Sequence, residues 1–198
     1  MLKTTASVLG LCALVILYCA CASKAGTATT NPPLAGAQKS AVTGELKYKA
    51  PDGWVTEQTT SSMRAAQYKL PKVEGDSEDA GLVLYFFGQG QGGSVSDNVD
   101  RWINQMVQPD GKPSKEKAKT ETLTVNGLKV TMVEVAGTYT AQMSPGSEAR
   151  HNNSNYRLLA AVVETPKGNY FAKLIGPDKT VSHWSQSFND YVKSFEFK

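Results

Sequence analysis

The segment LYFFGQGQGG, residues 84 to 93, runs into SVSDNVDRWINQM and places Gly88, Gly90 and Gly93 in the spacing Gly-x-Gly-x-x-Gly. Between a strand and a helix that spacing holds dinucleotides. The glycines let backbone amides reach a pyrophosphate, and the helix N-terminus favours its charge. The full fingerprint also needs a parallel βαβ unit and an acidic residue about 20 positions on, at the end of the second strand. Asp110 follows, but in a Pro-Gly-Lys loop, and the next strand belongs to an Asn126-Gly127 hairpin. A fourth glycine, Gly92, and the interleaved glutamines suit a strand-to-helix connection better than a phosphate cradle. No nucleotide is expected, and the loop is read as structural, mobile or in contact with a partner.

Other reactive side chains are sparse. The chain has two histidines, His151 in a polar loop and His183 beside Trp184 in the last helical pattern. Two distant histidines make a poor zinc site. No Gly-x-Ser-x-Gly elbow marks a nucleophilic serine. The acidic cluster Glu74, Asp76, Glu78 and Asp79 lacks the spacing of a calcium loop and reads as a solvated turn. Lys112, Lys115, Lys117 and Lys119 could rest on anionic headgroups, but a simple solvated loop is the better reading. The formal charge of +3 is too small to predict nucleic-acid binding. The expectation is therefore no catalytic residue, no metal, no cofactor, no nucleic acid and no enzyme.

All three cysteines, Cys12, Cys19 and Cys21, precede residue 22. The remainder has no disulfide and no thiol nucleophile. Lys3 and the uncharged run from Ala6 to Ala20 have the form of a signal peptide. A small residue directly before Cys21 resembles a bacterial lipobox, with Cys21 as the lipid-bearing residue and Tyr18 where leucine is usual. An ordinary signal peptide cut after Ala20 or Ala22, or a retained anchor helix, are the alternatives. The reading is a signal peptide over residues 1–20 and a flexible tether over 21–40, small, polar and Pro-containing. A single domain follows over 41–198. Acyl chains on Cys21 would hold the protein at a membrane, facing the periplasm or exterior.

The elements that must position any site follow from periodicity. GELKYKA, SSMRAAQYKL and GLVLYFF read as strands, the last apolar on both faces and hence central and covered on both sides. A helix is expected from Ser96 to Val107, with Val99, Trp102, Ile103 and Met106 in one stripe, Ser94 or Ser96 as cap and Asp97 in its first turn. Asn126-Gly127 turns one hairpin. Its second strand slips phase between Met132 and Val133, which predicts a bulge or burial on both faces. YRLLAAVVET and NYFAKLIG form another hairpin. A last helix from Asp178 presents Val181, Trp184, Phe188, Tyr191, Val192 and Phe195. Hairpins without regular strand–helix alternation mean an α+β fold, a mostly antiparallel sheet with helices packed on it.

APDGWVTEQ with its Pro51, Gly53 and Trp54, the strands after it, and the closing NYFAKLIGPDKTVSHWSQSFNDYVKSFEF resemble the Mog1/PsbP-like superfamily over most of residues 44 to 198. The resemblance implies an α/β/α-like sandwich that docks onto other proteins, usually without catalysis. The matching residues are structural, and Trp54 and Trp184 are expected in the core. Together these observations suggest a bacterial envelope lipoprotein whose domain docks an envelope protein. The Gly-rich turn or the Ser144–Asn155 loop would serve as the contact. The alternative is a carrier holding a small apolar ligand between sheet and helix.

Overall fold

The computed structural model describes residues 43–59 and 61–198. The signal segment, Cys21 and the tether lie outside them.

The sheet grows by hairpins. β3 (Arg64–Leu70) pairs with β4 (Ala80–Phe86), and β8 (Asn153–Thr165) with β9 (Gly168–Pro177). β9 also pairs with β4, and β8 with β7 (Leu128–Tyr139). β2 (Val55–Thr56) extends one edge. On the other edge β6 (Lys119–Val125) lines the first half of β7, and β5 (Met106–Val107) its end. All these pairings are antiparallel, in the order β2-β3-β4-β9-β8-β7-β5. A separate pair joins β1 (Leu46–Lys47) to β10 (Glu196–Phe197). At the β6–β7 turn Asn126 (φ 47°) and Gly127 (φ 80°) both take positive φ, as a two-residue hairpin requires. The Asn126 side chain also donates to the Phe195 carbonyl at 2.8 Å, tying the turn to the C-terminal segment.

Two apolar layers cover the sheet. Alternation sends Leu82, Leu84, Leu159, Ala161, Ala172 and Leu174 to one face, under α2 (Asp178–His183) and α3 (Ser185–Lys193). It sends Leu158, Ala160, Val162 and Phe171 to the other, under Val99, Trp102 and Ile103 of α1 (Val95–Ile103). The fold is thus the α+β sandwich that the hairpin pattern predicts.

Several sequence expectations shift. The strand buried on both faces is β8; β4 buries its even-numbered residues through Leu84 and leaves Val83 and Tyr85 partly exposed. The phase slip in β7 is not a bulge. Its register to β6 and β8 runs unbroken through Met132 and Val133. Leu128 and Val130 face α2 and α3, while Val133 and Val135 face α1, so the strand changes the layer it serves along its length. α1 ends at Ile103, because Met106 and Val107 leave the helix to pair with Tyr139 and Thr138. The last helix breaks at Trp184. That residue is only partly buried, and its indole donates to the Pro71 carbonyl at 2.9 Å, whereas Trp54 is in the core between Tyr68 and Tyr191.

Candidate functional site

α1 is too short to span the sheet. It covers β7, β8 and Phe171 of β9, and the same face continues only partly covered over the rest of β9, β4, β3 and β2. Pairing puts Gln67 opposite Val83 and Val83 opposite Lys173; Lys69 is opposite both Val55 and Gly81. These residues, with Tyr85, Phe87 and Ile175, share the α1 side. Val55 on the edge strand is 50% exposed, and Phe87, one residue past β4, 36%. The Tyr85 and Phe87 rings stack with centroids 5.7 Å apart, and the Arg64 guanidinium lies 5.9 Å over Tyr85.

Lys173 marks the boundary between the covered and open halves. Its Nζ donates to Gln105 Oε1 at 2.7 Å and to the Tyr139 hydroxyl at 3.2 Å, and it lies 5.0 Å from the Tyr139 ring centre. Among the described ion pairs none involves Lys173. Desolvation by its surroundings pushes the ammonium down to about 8, and the Arg101 cation on α1 adds to the shift. Burial raises Tyr139, and Tyr85 contributes. At the end of the same face Tyr156 donates to the Glu78 carboxylate; burial first, then that carboxylate, raises its hydroxyl to about 12.

The Gly-rich connection borders this face at one end. Gly88, Gly90, Gly92 and Gly93 all take positive φ. Gly92 is pressed against aromatic rings: a Cβ there would stand 2.6 Å from Phe171 and 2.8 Å from Phe87. The buried Asn98 amide donates to the carbonyls of Gly92 and Ser94, both at 2.8 Å, and the Ser94 hydroxyl caps α1 through the Asp97 amide at 3.1 Å. β4 pairs antiparallel with both β3 and β9, so the parallel βαβ context of a dinucleotide turn does not form. The connection anchors α1 by aromatic packing and Asn98.

The 144–155 loop closes the opposite end of the sheet, away from the glycines. It is folded onto itself. Gln142 and Arg150 form a bridge, Met143 bonds the Ala149 carbonyl at 3.0 Å, and the Arg150 guanidinium bonds the Thr140 carbonyl at 3.0 Å. His151 packs on Tyr139 with ring centres 5.1 Å apart, while His183 lies on α2 across the sheet, against Trp184. The acidic cluster is an exposed turn, as read from the sequence, but three of its carboxylates are engaged. Asp76 accepts from the Thr180 amide at 2.8 Å and hydroxyl at 2.6 Å, Asp79 accepts from the Lys72 amide at 2.9 Å, and Glu78 takes Tyr156. Of the lysine run, Lys115 pairs with Asp100 at 3.3 Å and Lys119 lies 3.9 Å from Glu134, which leaves Lys112 and Lys117 for solvent.

On the covered half a groove of about 880 Å³ lies between α1 and the β6–β7 edge. Val95, Val99 and Ile103 line it together with Ser96, Asp100 and Lys115. It has the position the carrier reading requires, with a mixed polar lining. Sequence periodicity alone does not single out the open half-face or Lys173. The available signal was a lysine at mid-strand in NYFAKLIG, flanked by apolar residues on both sides.

No protein-family model and no curated protein matches the chain. Solved structures do. LpqN of Mycobacterium tuberculosis, involved in cell envelope biogenesis, is 9% identical, covers 79% of this chain and 84% of its own, with a TM-score of 0.49. Cyanobacterial PsbP from Synechocystis is 11% identical over 83% of this chain and 99% of its own, with a TM-score of 0.44. A Pseudomonas aeruginosa protein of unknown function is 10% identical over 71% and 94%, with a TM-score of 0.43.

Proposed function

We propose that the domain is a non-catalytic docking module, held at the cell envelope by a lipid on Cys21, and that its partner seats on the open half of the sheet beside α1. The observation that carries the docking reading is the exposure of Phe87, stacked on Tyr85 at one end of the face that α1 leaves only partly covered, and of Val55 on the edge strand at its other end. Apolar side chains rimmed by polar ones on an exposed surface mark an interaction site. Arg64 over Tyr85 and Lys69 beside Val55 supply the rim. This moves the contact from the Gly-rich turn itself to the sheet next to it, with Phe87 shared by both, and away from the self-bonded 144–155 loop. The lipid anchor is supported by the sequence around Cys21.

A photo-cross-linking residue placed at position 55 or 87 of the lipidated full chain, in its own envelope, tests the surface. The same discrete adduct from both positions, absent when the probe is at Lys193 on α3, is expected. Equal labelling from all three, or none from the face, refutes the surface. The anchor is tested separately. Cys21→Ala should leave the protein unprocessed and free of lipid label; normal cleavage to a soluble product would exclude Cys21 as the anchor.

The groove between α1 and the β6–β7 edge favours a second reading, a carrier of a small ligand. Native mass measurement of the full chain released from mild detergent distinguishes it: extra mass lost on denaturation supports a carrier.

A further inference from the structure

The two edges of the sheet are built differently. One ends in β2, two residues long, laid on β3, whose register shifts between Arg64 and Ala66. Short and irregular edge strands resist pairing with other chains. Along the other edge, next to the two-residue β5, runs β6: seven residues, KTETLTV, in unbroken register with β7 and free of proline and glycine. Val125 and Leu128 flank the two-residue turn and so exchange both backbone bonds, and the pattern alternates from there. Lys119, Glu121, Leu123 and Val125 therefore bond β7, while the amides and carbonyls of Thr120, Thr122 and Thr124 point outward. All three threonines are exposed, and among the described residues nothing bonds these outward groups.

The groove between α1 and the β6–β7 edge runs beside this ladder, and Thr120 lines it together with Val95, Val99, Ile103 and Ala118. The opposite face of β6 carries Lys119 and Glu121, both exposed, two residues apart and opposite in charge. Among the described residues Glu121 is in no ion pair, and Lys119 lies 3.9 Å from a Glu134 that Arg157 already holds. We propose that β6 is a strand-addition site for an extended peptide segment of a protein partner, running antiparallel to it. Every second residue of that segment bonds Thr120, Thr122 or Thr124 through its backbone. Its side chain points to the α1 side, where the groove takes apolar groups. The residues between carry a carboxylate opposite Lys119 and an amine opposite Glu121. A second copy of β6 fits less well: it brings only threonines to the groove, and full overlap sets Lys119 against Val125 and Glu121 against Leu123. The site is at the far edge of the sheet from β2 and is independent of the docking reading for Val55 and Phe87.

Fluorescence anisotropy with the full chain in mild detergent tests it. The probe is a fluorophore-labelled, amidated peptide, Ser-Val-Thr-Val-Lys-Val-Glu, whose valines fall opposite Thr124, Thr122 and Thr120 in the antiparallel register. It should bind saturably, with a Kd at or below about 1 mM. N-methylating its three valines removes the donors to β6 and should weaken binding about tenfold or more, whereas N-methylating its threonine and lysine, whose amides face away, should not. Thr122→Pro blocks one outward donor at an edge position that keeps its pairing with β7, and should abolish binding. Glu121→Lys should weaken binding about fivefold, and exchanging the peptide's lysine for glutamate should restore it. No saturation, equal losses from the two methylated peptides, or no rescue of Glu121→Lys overturns the proposal. A doubled native mass that Thr122→Pro returns to the monomer overturns it too, by making the occupant a second copy.

Discussion

Lys173 couples the sheet to pH, and the sign follows from its lowered value. The folded amine releases its proton near pH 8 and the unfolded one near its ordinary 10.5. Between those values the unfolded chain binds more protons, so stability rises with pH. Lys173's contribution is complete above 10.5 and is lost as pH falls through 8. Tyr156 acts in the opposite sense. Its folded value of about 12 lies above its ordinary 10, so its contribution is complete below 10 and is lost as pH rises through 12. Urea midpoints should therefore increase from about pH 8 to about pH 10, where the two windows meet, and then decline. Lys173→Met should remove the alkaline gain and start from a higher neutral-pH midpoint; a variant that keeps the gain would show that another group titrates. Glycine positions allow an equally local test. Gly92→Ala forces a Cβ into Phe171 and Phe87, whereas a Cβ at Gly90 meets nothing within 4 Å, and both residues have positive φ. Gly90→Ala should cost about 1 kcal/mol from backbone strain, and Gly92→Ala about 1–3 kcal/mol more from overpacking. Equal urea midpoints for the two variants would mean that the aromatic contact is loose.

At the scale of elements, α2 depends on a residue distant in sequence. Its N-terminus follows Pro177, which offers no side-chain cap, and the orphan amide of Thr180 is satisfied by Asp76 from the β3–β4 connection. Asp76→Ala should cost about 1–3 kcal/mol, because the buried Thr180 amide and hydroxyl both lose their acceptor. A thermal scan gives that loss, and calcium added to the wild type should leave its melting temperature unmoved if the carboxylate serves the helix. The cluster shows why the sequence was readable to one depth and no further. Hairpins, the α1 stripe and the C-terminal apolar positions obey local periods, and the local signal was enough for the antiparallel α+β architecture. The bonds that tie EGDSED to the rest of the fold were opaque because their donors are distant in the chain: Thr180 for Asp76, Tyr156 for Glu78. The end of α1 is hidden from the sequence for a related reason. Met106 keeps the helical period, yet pairing with Tyr139 across the sheet outweighs it. The open half-face was also unreadable, since Val55, Val83, Tyr85 and Lys173 meet only once β2, β3, β4 and β9 are in register.

Over the whole molecule the two halves of the α1 face have different duties, and substitutions should separate them. Beneath α1 the side chains are fully packed: Phe171 is 1% exposed and contacts both Trp102 and Phe87. Truncating it opens a cavity between layers, and Phe171→Ala should cost about 3–5 kcal/mol. On the uncovered half Val55 is on the edge strand with half its surface in water. Val55→Asp should change stability by no more than about 0.5 kcal/mol, as expected for a surface position outside the core. The same substitution sets a desolvated carboxylate against any apolar partner surface, so it should abolish the adduct captured from a cross-linker at position 87. A face that exists only to finish the fold would give the reverse pattern, with Val55→Asp destabilising and cross-linking unchanged. Paired urea titrations and cross-linking yields on the two variants therefore decide whether the bare half of the sheet is an interface or merely an uncovered side of the core.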